Sequence, residues 1–299
     1  LDVIKTVGLT KYYGNVRGAE DIDLEVQQGE IFGFIGPNGA GKSTTIRMLM
    51  QLIFPTRGSM ELFGKTLGRD NPKIRAQIGY LPGEVNYYDE FTGMQLLQYV
   101  ARNHPKVEMK DIEECAQLLQ LDLTKRIRSY SLGNKKKLGI VQALMHHPKL
   151  LILDEPTSGL DPLMQSQFFE ILKERKKQGV TVFFSTHVLS EVEKICDRVA
   201  IIKDGFIVQV SKVDEIPGRK QRVIKVQFGE EGNLIEKYGF AQLGTRIEYE
   251  NGYHIIHTDR ELQHILQSIA AHSILDITVS RPSLEELFMA FYRKDEPHV

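Results

Sequence analysis

The chain has 299 residues, and its 38 Lys+Arg against 39 Asp+Glu give a formal net charge of -1. That is long enough for one large domain plus a small one and too balanced for a protein that wraps nucleic acid. Its two cysteines, Cys115 and Cys196, lie far apart with no Cys-x-x-Cys spacing, so both are expected as small buried hydrophobes of a reducing compartment rather than zinc ligands or a disulfide.

No apolar run approaches the roughly 20 residues that span a bilayer, and the first residues lack a basic-then-apolar signal pattern. Any membrane crossing is expected to fall to another chain. Residues 2 to 35 read as short strands: Val3-Ile4, Ile22 to Val26 in alternation, and Ile31 to Ile35, with turns at Gly14 and Gly29. Tyr12 and Tyr13 stand just before the first turn. Either can lay its ring against a nucleotide base, a contact worth on the order of 1–3 kcal/mol, or serve as an ordinary strand aromatic.

Next comes Gly36-Pro37-Asn38-Gly39-Ala40-Gly41-Lys42-Ser43-Thr44, between the apolar strand and a helical pattern of Ile46, Leu49, Met50 and Ile53. Glycines at this spacing let successive N–H groups turn toward an anion, and the following helix aims the positive end of its dipole at the same place. Lys42 would reach the β- and γ-phosphates as a mobile point charge, and the Ser43 hydroxyl would complete the coordination of Mg²⁺. A glycine-rich turn without a ligand is the plainer reading. The strand before the loop and the helix after it favour the phosphate cradle.

Gly58 to Gly64 reads as a hairpin strand carrying Met60, Leu62 and Phe63, and Ile78 to Leu81 as a short strand closed by Pro82-Gly83. From Thr92 to about His147 the pattern is helical: a helix capped by Thr92 with Met94, Leu96, Leu97 and Val100, a second with Ile112, Cys115, Leu118 and Leu119, and a third with Leu138, Val141, Leu144 and Met145. A helical insert thus interrupts an α/β sheet. Leu150 to Leu153 is a buried strand with Asp154-Glu155 at its C-terminal end, where open α/β sheets place their ligands. There Asp154 suits Mg²⁺ bound through water, and Glu155 suits orienting and deprotonating an attacking water; the alternative is a solvated acid pair in a turn. A helix from Pro162 stops at Gly179, and Val180 to Phe184 is a further buried strand that brings His187 to the same sheet edge as Asp154. The other histidines, His146-His147, His254, His257 and His264 among them, read as surface or packing residues.

These pieces in this order resemble the nucleotide-binding subunit of ABC (ATP-binding cassette) transporters over about residues 3 to 210. The deciding run is Ser131-Leu132-Gly133-Asn134-Lys135, then Leu150 to Glu155, then Ser158-Gly159-Leu160-Asp161, then His187. The resemblance implies a P-loop NTPase cassette with a RecA-like α/β core, an antiparallel lead-in and a helical subdomain at about 90–148, with ATP and Mg²⁺ as cofactors. It implies that Ser131 and Gly133 touch the γ-phosphate bound by an opposite subunit, that Asp161 lies in the loop linking two sites, that Glu155 is the base and His187 the γ-phosphate switch. It also matches Tyr13 to the adenine-stacking aromatic. Two positions depart from the family pattern: Gly83 followed by Glu84 stands where a Mg²⁺-sensing glutamine is usual, and Leu132 and Asn134 replace a glycine and a glutamine of the signature. Ser131 and Gly133 are kept, so a closed dimer is still expected. Lys135-Lys136-Lys137 reads as a solvated helix face, with support of the phosphate field as the alternative.

The domain division is expected as 1–215 for the cassette and 216–299 for a small C-terminal α+β domain. In the latter, Val223 to Phe228, Arg246 to Tyr249 and Tyr253 to His257 alternate as strands, the last two joined by the Asn251-Gly252 hairpin signal. A helix with Leu262, Ile265 and Leu266 capped by Asp259, a strand from Ile274 to Val279, and a final helix from Ser283-Leu284-Glu285-Glu286 with Leu287, Phe288 and Phe291 follow. A similar appendix follows the cassette in export ATPases of the drug and antibiotic resistance kind, and here it reads as a dimer-stabilising or regulatory module without chemistry. The expected function is a cytoplasmic ATPase, peripheral at the inner face of the membrane, acting as a homodimer or heterodimer that drives a separate permease toward export. A soluble ABC ATPase acting on ribosomes or DNA is disfavoured by the single cradle and the balanced charge. A non-hydrolysing binder is disfavoured by the intact Lys42, Asp154, Glu155 and His187 set.

Overall fold

The computed structural model describes residues 1–67, 71–216, 218–230, 244, 246–285 and 287. The chain divides into two compact units, Leu1–Val213 and Asp214–Val299. Among the described residues no helix is long and apolar enough to cross a membrane.

The first unit holds two sheets. One is the antiparallel lead-in, ordered β2-β1-β4-β5, from β1 (Asp2–Tyr13), β2 (Val16–Gln27), β4 (Arg57–Leu62) and β5 (Lys65–Thr66). Strands β1 and β2 run twelve residues each, longer than their short apolar patches suggest, because pairing of each with its neighbour carries the extended backbone through Gly8 and Gly18. Phe63 lies in the turn between β4 and β5 rather than in the strand, at φ 53°.

The second sheet is ordered β10-β9-β3-β8-β7-β6. Its strands β3 (Ile31–Ile35), β6 (Ile78–Leu81), β7 (Leu150–Asp154), β8 (Thr181–Thr186) and β9 (Arg198–Lys203) are parallel, and β10 (Phe206–Lys212) adds an antiparallel edge. Every residue of β3, β7 and β8 is buried, as continuous apolar runs covered on both faces must be. Strands β9 and β10 were not anticipated from the sequence. Strand β10 alternates exposed and half-buried positions, and its exposed Phe206, Val208 and Val210 give it a weak core signature.

Between β6 and β7 stand α3 (Gly93–Ala101), α4 (Met109–Leu118) and α5 (Leu132–Leu144). Thr92 begins α3 with a reciprocal capping box: its hydroxyl accepts from the Gln95 amide, and the Gln95 side chain accepts from the Thr92 amide. Helices α1 (Lys42–Leu49), α2 (Pro72–Arg75), α6 (Pro162–Lys177) and α7 (Leu189–Ile195) complete the unit. One core cluster joins the three inserted helices to α6 and one sheet face, through residues such as Leu138, Leu153, Phe168 and Phe184; a second fills the space between the two sheets, around Phe32, Phe34 and Phe183. Cys115 is buried and Cys196 half-buried, both unpaired thiols packed against the first cluster.

The second unit carries an antiparallel sheet ordered β12-β13-β11-β14, from β11 (Arg222–Phe228), β12 (Arg246–Glu250), β13 (Tyr253–Thr258) and β14 (Ile274–Ser280). Asn251 and Gly252 join β12 to β13 with φ of 51° and 84°, the paired left-handed geometry a two-residue hairpin turn needs. Helix α8 (Leu262–Ala270) packs Ile265 and Ile269 against Ile224, Val226, Phe228 and Ile256. Its N-cap is Glu261, with no side-chain cap, so Asp259 does not serve: the helix starts three residues after it, and the Arg260 amide donates instead to Thr258 Oγ1. In the expected final helix Leu284 is buried, while Glu286, Phe288 and Phe291 lie outside the described residues.

Candidate active site

Strand β3 delivers the chain into the Gly36–Thr44 loop at the C-terminal end of the parallel sheet, and α1 begins at Lys42. Gly41 is its N-cap at φ 107° with no side-chain cap, so nothing of its own covers the first amides of the helix. A Cβ at Gly41 would stand 2.5 Å from the Gly18 carbonyl oxygen of β2. That close approach locks the loop against the lead-in sheet. Gly18 in turn lies under the Tyr13 ring and the Thr44 methyl, since a Cβ there would meet Tyr13 Cε2 at 2.7 Å and Thr44 Cγ2 at 3.1 Å. Tyr13 is therefore held beside the loop and is 44% exposed, whereas Tyr12 donates its hydroxyl to Glu20.

The Lys42 side chain is buried and its Nζ donates to the carbonyls of Gly36 at 2.7 Å and Pro37 at 3.1 Å. It also stands 3.5 Å from Glu155 Oε1, and the same carboxylate oxygen lies 3.2 Å from His187 Nδ1. Three predicted residues from three separate segments thus meet at one oxygen. Glu155 follows β7 at φ 46°, a left-handed turn that lifts its carboxylate off the strand line. Asp154, the last residue of β7, is buried and accepts from Ser185 Oγ at 2.6 Å.

A cavity of about 720 Å³ is lined by Ser43, Tyr80, Gly83, Asp154, Glu155 and Ser158 among others. Burial, and after it the charge of Asp154, pushes the Tyr80 phenol up to about 12, so it stays a neutral wall of the cavity. Ser43 and Asp154 face this one space, and among the described residues no group of three or more His, Cys, Asp or Glu is arranged around a metal. Such a pair fits Mg²⁺, which takes one or two protein ligands and fills its octahedron with water and phosphate oxygens.

Ser131 and Gly133 are engaged elsewhere. Ser131 caps α5, its hydroxyl accepting from the Asn134 amide at 3.2 Å, and a Cβ on Gly133 would lie 2.8 Å from the Gly159 carbonyl oxygen. Asp161 caps α6, accepting from the Met164 amide at 2.9 Å. The start of α5 therefore packs on Gly159, through Gly133 and Leu132, with Ser131 and Leu132 exposed.

Two residues of the candidate site escape sequence reasoning. Ser185 reads only as part of a strand end, and its role appears when β8 pairs beside β7. Lys136 reads as one of three lysines on a solvated helix face, but its side chain is 2% exposed and its Nζ donates to the Pro82 and Gly83 carbonyls. A three-residue lysine run on a helix necessarily turns some members inward, and that periodicity was the available signal. Tyr87, paired with Tyr88 in the loop Glu84 to Phe91, is half-buried, while Tyr88 is 67% exposed.

A family model described as ABC transporter matches residues 19–158. The bacitracin transport ATP-binding protein BcrA of Bacillus licheniformis is 33% identical over 296 residues, covering 96% of each chain. The linearmycin resistance ATP-binding protein LnrL of Bacillus subtilis is 30% identical over 96% of this chain and 97% of its own. Among solved structures, an ATP-binding subunit of an ABC transporter aligns with TM-score 0.66 and 31% identity, over 72% of this chain and 91% of that one. The dimeric cassette MJ0796, in a post-hydrolysis state bound to ADP and Pi, shares the fold at TM-score 0.65 and 23% identity, over 70% and 98% of the two chains. With a phosphate loop, a strand-end acid pair and a histidine meeting at one sheet edge, and relatives matching nearly end to end, the chain belongs to the ABC transporter family as an ATP-binding, ATP-hydrolysing subunit similar to those of antibiotic transport and resistance.

Proposed function

We propose that the Gly36–Thr44 loop holds the triphosphate of MgATP and that a second cassette closes over it with its own Ser131 and Gly133. Lys42 turns from the loop carbonyls to the β- and γ-phosphates, Ser43 and Asp154 hold Mg²⁺ with waters, and Tyr13 stacks on the adenine. When bound, the Mg²⁺ neutralises charge on the phosphate oxygens. Glu155 takes the proton of the attacking water, and His187, poised on the same carboxylate, meets the γ-phosphate. The pairing of Glu155 Oε1 with both Lys42 and His187 carries this reading. Catalysis of this kind is positioning and charge stabilisation, with little covalent work for the protein.

The exposed N-terminus of α5 supports a partner across the site: it offers amides that no residue of the Gly36–Thr44 loop takes up among the described residues, and a helix start suits a phosphate oxygen. The partner cassette is a second copy or a homologous subunit. Residues 1–215 act as the motor, and 216–299 as a dimer-stabilising or regulatory module. Transport runs outward through a separate membrane permease at the cytoplasmic face, with Tyr88 as the exposed contact of the Glu84–Phe91 loop.

Replacing the base tests the core of this reading. Glu155→Gln is expected to bind MgATP, stop turning over, and migrate as a dimer in size-exclusion chromatography with ATP present. Wild-type phosphate release from Glu155→Gln would remove Glu155 from the role of base.

A further inference from the structure

Lys136 is a buried ammonium with no carboxylate at ion-pair distance among the described residues. Its Nζ donates to the Gly83 carbonyl at 2.9 Å and to the Pro82 carbonyl at 3.3 Å. Burial pushes it below the ordinary lysine value, and the charges of Asp154 and Glu155 pull it back up. A lone charge so placed is costly, and an apolar side chain of similar size would satisfy packing at least as well. What offsets that cost is what the ammonium holds.

What it holds is the loop that leaves β6. One helical turn beyond Lys136, a Cβ on Gly139 would lie 2.6 Å from Leu81 Cδ1 and 2.7 Å from Tyr87 Oη, so residues 81–87 lie directly on α5. At its near end the loop borders the acids, since a Cβ on Gly83 would stand 3.4 Å from Asp154 Oδ2. At its far end it presents the exposed Tyr88. Helix α5 is headed by Ser131.

We propose that Lys136 is a positioning residue for ATP hydrolysis: by gripping the Pro82 and Gly83 carbonyls it fixes the 82–88 loop to α5. The loop beside Asp154, the Tyr88 surface and the Ser131 end of the helix then move as one body. Gly83 has no side chain with which to reach the site, and the lysine supplies the link from the helix side through backbone carbonyls. This rests on the nucleotide placement proposed above.

The test compares Lys136→Met, which keeps bulk and loses the donor, with Lys136→Gln, which keeps an N–H donor, in the full chain with MgATP. Phosphate release, ATP affinity by nucleotide titration and the thermal midpoint are read for each. Lys136→Met is expected to keep ATP KM within about twofold and lose about tenfold in kcat, and Lys136→Gln to recover most of that loss. Gly139→Ala, whose Cβ crowds the Leu81 and Tyr87 side chains between the loop and α5, is expected to lower kcat in the same direction at unchanged KM. Wild-type kcat in Lys136→Met, or a loss that Lys136→Gln does not recover, overturns the proposal. Absence of saturable ATP binding by the unmodified chain would instead overturn the nucleotide placement, and the two failures are read in separate measurements.

Discussion

Ser185 Oγ donates to Asp154 Oδ1 at 2.6 Å and accepts from the Glu155 amide at 3.2 Å, so a single hydroxyl on β8 orients both acids at the end of β7. Ser185 is fully buried, and the Glu155 amide also donates to the Ser185 carbonyl at 3.1 Å. Removing the hydroxyl leaves a buried carboxylate oxygen short of a donor, a loss of about 1–3 kcal/mol. It also frees Asp154 to rotate, and for the Mg²⁺-holding role proposed for Asp154, residues that orient a metal ligand typically influence affinity or activity by about 10–100-fold. Ser185→Ala is therefore expected to unfold at lower urea and to need about tenfold more Mg²⁺ for half-maximal phosphate release. An unchanged Mg²⁺ requirement would show that the hydroxyl serves folding alone.

Gly39 and Gly41 both sit at positive φ, 81° and 107°, but their surroundings differ. A Cβ at Gly39 meets nothing within 4 Å, whereas one at Gly41 strikes the Gly18 carbonyl oxygen at 2.5 Å. Gly39→Ala therefore costs backbone strain of about 1 kcal/mol, while Gly41→Ala adds a clash with backbone that cannot rotate away, for about 3 kcal/mol or more in all. Gly41→Ala is also expected to abolish measurable ATP binding by displacing the first turn of α1, with Gly39→Ala retaining it at reduced affinity. Equal midpoints in chemical unfolding for the two variants would mean that contact between the loop and the lead-in sheet is dispensable.

Much of this architecture is written locally. The apolar runs of β3, β7 and β8, the Asn251-Gly252 turn and the Thr92 cap are short-range signals, each set by residues adjacent in sequence. The length of β1 and β2 was not legible, because it comes from pairing with each other and, for β1, with β4 rather than from their own side chains. Asp259 looked like a helix cap in isolation, yet the Thr258 hydroxyl takes the neighbouring amide and the helix starts later. In the site, Lys42, Glu155 and His187 could be named from spacing and resemblance, since the parallel order of the sheet sends their segments to one edge. Ser185 and Lys136 act across the fold, and long-range partners leave no mark in a window of neighbouring residues.

His146 gives the fold a dependence on pH remote from this chemistry. Its ring lies against His104, tilted by 32° with 4.1 Å between centroids, and its Nε2 lies 3.0 Å from the Ile78 carbonyl oxygen at the start of β6. Burial, reinforced by the neighbouring His104 charge, lowers its pKa from 6.5 to about 4, against the opposing pull of the nearby backbone, the Ile78 carbonyl first. Burial lowers His104 as well. The unfolded chain takes up a proton at 6.5 and the native ring only near about 4, so between those values the unfolded state binds more protons and stability falls as pH falls. The contribution is complete above 6.5 and is exhausted by about 4. At pH 5 the loss is about 2 kcal/mol, at 1.36 kcal/mol per unit. His146→Gln places a side-chain amide near the same carbonyl and has nothing to protonate, so its urea-unfolding free energy is expected to drop less between pH 7 and pH 5, the wild-type excess being about 2 kcal/mol. Parallel losses in the two proteins would move the acid sensitivity to other groups, His104 first among them.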